Sequence, residues 1–112
     1  MAQDYSSEQS VDIETIKTKV QNGKFVISTH ADQEAADENI DIAEIRDALL
    51  SGELLEQYPD TGRGESCLIL GFANDKPIHI VCGWHRDSVV IITVYIPKPP
   101  KFDDPRTRRR LL

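Results

Sequence analysis

The chain has 112 residues, 39% of them apolar and 29% charged, and a formal net charge of -6. That length fits one domain burying about 65% of its unfolded surface, and the composition excludes wholesale disorder. The balance also excludes a strongly basic nucleic-acid binder, and no apolar run approaches the roughly 18 residues of a membrane span.

The charge is unevenly placed. Residues 1–60 carry 14 acidic and 4 basic side chains, whereas residues 61–112 carry 5 acidic and 9 basic, so a phosphate-rich ligand would prefer the second half. The start, "MAQDYSSEQS", lacks a signal peptide's apolar centre, and two cysteines without a C-x-x-C pair make no disulfide framework. The expectation is a cytoplasmic protein.

Residues 1–10 read as a disordered leader, 11–97 as a single α+β domain, and 98–112 as a proline-rich and then basic tail. Ser10 can cap a helix over 11–22 with Ile13, Ile16 and Val20 on one stripe, and Gly23 suits its end. "KFVIS" reads as a short strand. Ser28 or Thr29 then caps a helix over "HADQEAADE", with Asn39 at its left-handed terminus. "DIAEIRDALLSG" reads as a helix with Asp41 and Glu44 in a capping box and Ile42, Ile45, Leu49 and Leu50 buried.

"ELLEQY" reads as a strand and "PDTGRGES" as a loop. Three strands follow: "SCLILGF", "PIHIVCG" and "SVVIITVYI". A two-residue turn at Asn74-Asp75 sets Cys67 opposite Cys82, Ile69 opposite Ile80 and Leu70 opposite His79. A longer turn centred on His85 would set Ile80 opposite Val90 and His79 opposite Ile91, leaving Trp84 exposed in the turn. Alternation then places Cys67, Ile69, Ile78, Ile80, Cys82, Val90, Ile92 and Val94 against the helices. The other face holds Leu68, Leu70, His79, Val89, Ile91, Thr93 and Tyr95. The first three prolines of "PKPPKFDDP", Pro97, Pro99 and Pro100, end the sheet.

The fold expected is α+β, with N-terminal helices on one face of a small, curved, mostly antiparallel four- to five-stranded sheet. The C-x-x-H spacing in "CGWH" suggests zinc, but both cysteines point into the core while His79 points away, so no metal and no cofactor is expected. A cysteine within an apolar strand face is also a poor nucleophile. RNA transesterification asks for a base, an acid and a cation, which His, Tyr and Arg supply without metal. His30, His79 and Tyr95 are the acid–base candidates. His30 lies in a first helical turn, where the dipole favours neutral imidazole. Arg63, Arg86 and Trp84 are the RNA- and phosphate-binding candidates. Each alone has a plain structural role as its alternative; only the set points to a site.

"FVISTHA", "DIAEIRDALLSGELLEQYPD", "GESCLILGFANDKPIHIVCG" and "VVIITVYIP", over residues 24–97, closely resemble the family catalogued as domain of unknown function 4258. The resemblance implies a RelE/MqsR-type toxin fold and a metal-independent endoribonuclease of a toxin–antitoxin system. RNA, free or on the ribosome, and a small zinc-finger antitoxin are the implied partners, with no direct DNA contact and no membrane. His30, His79, Tyr95 and Arg63 fall on its motif positions. Its usual pattern after "HA" carries arginines where this chain has Glu34 and Glu38, with Ala35 for methionine and Asn39 for glycine. Those two carboxylates would repel phosphate beside His30. The alternative is a catalytically inactive protein-interaction or binding domain on the same fold.

Overall fold

A computed structural model describes residues 12–60, 62, 64–99 and 102–108. The expected leader, Ser10, Arg63 and the arginines after Arg108 lie outside the described residues.

Helix α1 spans Ile13–Gln21 and buries Ile16 and Val20, the stripe its periodicity marks. Strand β1, Phe25–Ile27, follows. Ser28 then caps α2, Thr29–Asp37, by accepting the Ala31 amide at 3.0 Å, and Asn39 ends it at φ 57. Helix α3, Ile42–Leu50, opens on the expected capping box of Asp41 and Glu44. Its buried residues are Glu44, Ile45, Ala48 and Leu49; Ile42, expected inside, is exposed because it sits at the first helical position, before the stripe meets the sheet.

Strands β2 (Glu53–Tyr58), β3 (Ser66–Ala73), β4 (Lys76–His85) and β5 (Ser88–Tyr95) complete a five-stranded sheet in the order β1-β5-β4-β3-β2. Only the β1–β5 pairing is parallel. The chain thus has the expected α+β class, with helices on one face of a mostly antiparallel sheet. The first hairpin has the expected register, Cys67 opposite Cys82 and Leu70 opposite His79.

The second hairpin differs. β4 runs on to His85, which pairs with Ser88, so the turn is Arg86-Asp87, with Arg86 left-handed at φ 58. Trp84 is therefore a strand residue opposite Val89, half-buried against the core, and not an exposed turn residue. Further along, Val81 opposes Thr93 while Cys82 opposes Ile91, which leaves Ile92 as the extra residue of a bulge. A bulge shifts every side chain beyond it by one face. Val89 and Ile91 consequently point to the helices and Val90 and Ile92 do not, the reverse of the expectation, whereas Val94 lies against the helices as expected.

The core lies between the helices and this face: Ile16, Val20, Ala31, Ile45, Ala48 and Leu49 pack on Cys67, Ile69, Ile78, Ile80, Cys82, Val89, Ile91 and Val94. Contact is close enough that a Cβ on Gly71 would fall 1.7 Å from the Ala48 carbonyl oxygen, so only glycine fits under α3.

The prolines do end the sheet, but the chain does not trail away. It returns as a short hairpin of β6 (Phe102–Asp104) and β7 (Thr107–Arg108). Phe102 is 1% exposed, and Leu68, Leu70 and His79 on the face away from the helices are also buried. The sheet has packing on both faces.

Candidate functional site

His79 and Tyr95 are direct cross-strand partners, His79 on β4 and Tyr95 on β5. The bulge at Ile92 makes them so: without it, Tyr95 would sit one position out of step and point to the helices. The Tyr95 hydroxyl lies 3.2 Å from His79 Nδ1, and the rings meet edge to face at a centroid separation of 5.2 Å.

The other ring nitrogen faces the tail hairpin. His79 Nε2 lies 2.6 Å from the Pro105 carbonyl oxygen. A carbonyl can only accept, so Nε2 carries the proton and donates. In the neutral imidazole Nδ1 is then an acceptor, and Tyr95 donates to it. Phe102 closes the cluster, its ring perpendicular to the imidazole at 4.4 Å. His79 is 0% exposed, with both nitrogens engaged. Burial pushes the Tyr95 phenol above its ordinary value, which keeps it a hydrogen-bond donor and not a base.

Two arginine–carboxylate pairs fasten the hairpin to β2. Arg108 meets Glu56 through two hydrogen bonds, at 3.1 and 2.8 Å, and Arg106 meets Glu53 at 3.1 and 2.6 Å. The Arg108 guanidinium also lies 4.8 Å from the Phe102 ring centroid. Tyr58 donates to Glu56 at 2.5 Å. Arg108, above all, holds the Glu56 carboxyl below its usual range, and burial together with Glu56 raises the Tyr58 phenol.

The remaining candidates lie elsewhere. His30 stands exposed near the start of α2, with Nε2 3.3 Å from Glu34 Oε2. Glu34 also accepts the Val94 amide and lines, with Tyr95 and Phe102, a shallow cavity of about 310 Å³. Trp84 and Arg86 line a larger cavity of about 550 Å³ with Lys19, Asp60, Gly64 and Glu65. Trp84 is five residues from His79 along β4, about 16 Å at strand rise, and on the opposite face. The structure therefore joins His79 to Tyr95 and Trp84 to Arg86, in two separate places. Beside the second, Lys19 and Lys24 both pair with Asp87 and hold its carboxyl at about 2.

Cys67 and Cys82 are fully buried free thiols with sulfurs 3.9 Å apart. They belong to the core, as the faces of the sheet required. Among the described residues no group of three or more His, Cys, Asp or Glu could hold a metal ion, and no helix is long and apolar enough to cross a membrane.

The residues missed by sequence reasoning are Phe102, Pro105 and Arg108. Their signal was present in "DDPR": Asp before Pro favours a turn, and Asp104 Oδ1 does accept the Arg106 amide at 2.8 Å.

A family model described as a domain of unknown function, DUF4258, matches residues 27–96. The chain belongs to the DUF4258 family. No curated protein and no solved structure matches it. The DUF4258 span contains His30, His79, Trp84, Arg86 and Tyr95 and ends before the hairpin, so the cover over His79 comes from outside the family region.

Proposed function

We propose that this DUF4258 chain is a protein-binding domain whose working surface is the sheet face opposite the helices. The observation that carries this reading is that the chain's own hairpin already occupies that face, with Phe102 buried and Arg106 and Arg108 on Glu53 and Glu56. The surrounding charge suits a cationic ligand and not a polyanion. The rim supplies Glu34, Glu38, Glu53 and Glu56, and nearby cations are matched by carboxylates, Lys98 by Glu38 among them. Affinity for RNA depends mainly on cations that displace counterions, and among the described residues those on this face are paired with carboxylates.

A second reading, an endoribonuclease of a toxin–antitoxin system, is favoured by one contact: a histidine and a tyrosine 3.2 Å apart are an acid–base pair. On that reading His79 takes the 2′-hydroxyl proton and Tyr95 orients its ring. The hairpin must first lift, because Pro105 holds Nε2.

RNA cleavage by wild type, Phe102→Ala, His79→Ala and Tyr95→Phe separates the two. The binding reading expects no cleavage by any of them. Cleavage that appears in wild type or Phe102→Ala and vanishes when His79→Ala is added would establish the nuclease and overturn the first reading.

A further inference from the structure

The hairpin resembles a bound peptide in every respect except its covalent link. It contributes one anchoring aromatic ring, one backbone acceptor and two guanidinium groups, and the sheet supplies a matching receptor. Phe102 fills a pocket over His79 and Tyr95, the Pro105 carbonyl accepts the imidazole N–H, Arg108 completes a bidentate pair with Glu56, and Arg106 donates twice to one oxygen of Glu53. Bidentate pairing of this kind selects arginine over lysine.

The attachment is also small. β7 is only two residues long and β6 three. The ion pairs are exposed, Arg106 at 56% and Glu53 at 49%, and exposed pairs contribute little. Phe102 alone removes a large apolar surface from water, so most of the hairpin's hold rests on one ring. Elements with few buried contacts open locally at a fraction of the global unfolding free energy.

We propose that the Phe102–Arg108 hairpin is a built-in ligand, and that the groove beneath it receives in trans a partner-protein segment of the same chemistry: an aromatic residue accompanied by arginines. This rests on the reading of that face as a binding surface. The acidic rim fixes the sign of the partner's charge, and the aromatic floor of His79 and Tyr95 fixes its anchor. A tethered ligand acts at an effective concentration of about millimolar, so a partner succeeds by binding more tightly than this short hairpin or by capturing it too.

The test uses the full chain and the reactivity of histidine with diethyl pyrocarbonate, read by mass spectrometry. His30 and His85 are exposed and serve as internal references for buried His79. In wild type, His79 reacts about a hundredfold more slowly than either, as a buried ring with both nitrogens bonded should. In Phe102→Ala it reacts about tenfold faster than in wild type, and Arg106→Ala/Arg108→Ala falls between them. A synthetic peptide of the sequence Phe102–Arg108, added at about millimolar concentration, restores protection to Phe102→Ala, and the same peptide with its arginines replaced by glutamate does not.

If His79 stays as slow in both variants as in wild type, the face is closed to every ligand and the binding reading itself falls. If His79 becomes reactive and the peptide leaves its rate unchanged, the face is open but the partner chemistry is wrong. Protection by an RNA oligonucleotide and not by the peptide overturns the partner class. Should Phe102→Ala lose cooperative melting, the arginine double variant decides, and loss of melting in both makes the hairpin an integral part of the core and ends the proposal.

Discussion

Glu34 reaches from α2 to accept the Val94 amide at 3.0 Å, two residues beyond the bulge at Ile92. Strand β1, beside β5, ends at Ile27 opposite Ile91, so it does not reach Val94. The Glu34 carboxylate accepts that amide and ties α2 to the strand that carries Tyr95. Read from sequence, Glu34 was a charge set against phosphate; in the fold it also completes the backbone hydrogen bonding of β5.

Glu34→Ala should lower the unfolding free energy by about 1–2 kcal/mol, because a half-buried amide loses a charged acceptor. Glu34→Gln retains an acceptor oxygen and should lose less than half as much. Urea denaturation measures both, and an alanine variant as stable as wild type would refute the role.

Acid should weaken the protein in a window set by two carboxylates. The Lys76 ammonium, followed by the Asp41 amide and the Asn74 side chain, holds Glu44 at about 2, against an ordinary value of 4.5. Asp87 is likewise held at about 2 by Lys19 and Lys24. A carboxylate with a depressed folded value contributes stability above its unfolded value and loses it as pH falls towards the folded one. The melting temperature should therefore fall between about pH 4.5 and pH 2, and fall less in Glu44→Gln and Asp87→Asn. Equal slopes in wild type and variants would exclude these groups.

The thiols should be silent in the native state. The adjacent Cys67 and burial push the Cys82 thiol well above its ordinary value, and both sulfurs are fully enclosed. Iodoacetamide at about pH 8 should alkylate neither cysteine until urea unfolds the chain. Rapid native labelling of either would show that the β3–β4 face opens.

Gly71→Ala should be among the most damaging single substitutions. Its Cβ would meet the carbonyl oxygen, carbon and Cα of Ala48 at 1.7, 2.4 and 2.6 Å, all backbone atoms that cannot rotate aside. Lifting α3 off the sheet should cost about 3 kcal/mol or more. A soluble Gly71→Ala variant melting within a degree or two of wild type would contradict this packing.

Local rules carried most of the fold. Capping by Ser28 and Asp41, the Asn74-Asp75 turn and the Cys67–Cys82 register all follow from residue chemistry within a few positions. What escaped was set by tertiary context. Nothing in "SVVIITVYI" marks Ile92 as the extra residue, since every candidate is equally β-prone, and the Val94 amide is satisfied by Glu34, 60 positions away. The placement of Trp84 failed with the turn, because Arg86-Asp87 lacks the glycine or asparagine usual where φ is positive. Of the candidate site, the shared face of His79 and Tyr95 was expected, but their direct pairing was not: the sequence set His79 opposite Ile91, and the bulge brings Tyr95 there instead. The site's cover was not expected either: three prolines argue against continuing a sheet but are silent on whether the chain comes back.

The parallel β1–β5 pairing also orders events in time. Phe25 lies beside Val89, 64 positions later, whereas the β3–β4 and β4–β5 hairpins close through two-residue turns. Short loops close before long ones, so the antiparallel meander should assemble first and β1 dock last. During synthesis, Phe25, Val26 and Ile27 therefore emerge well before the strand they need exists. Of the sheet's strands, the first made is the last to find its place.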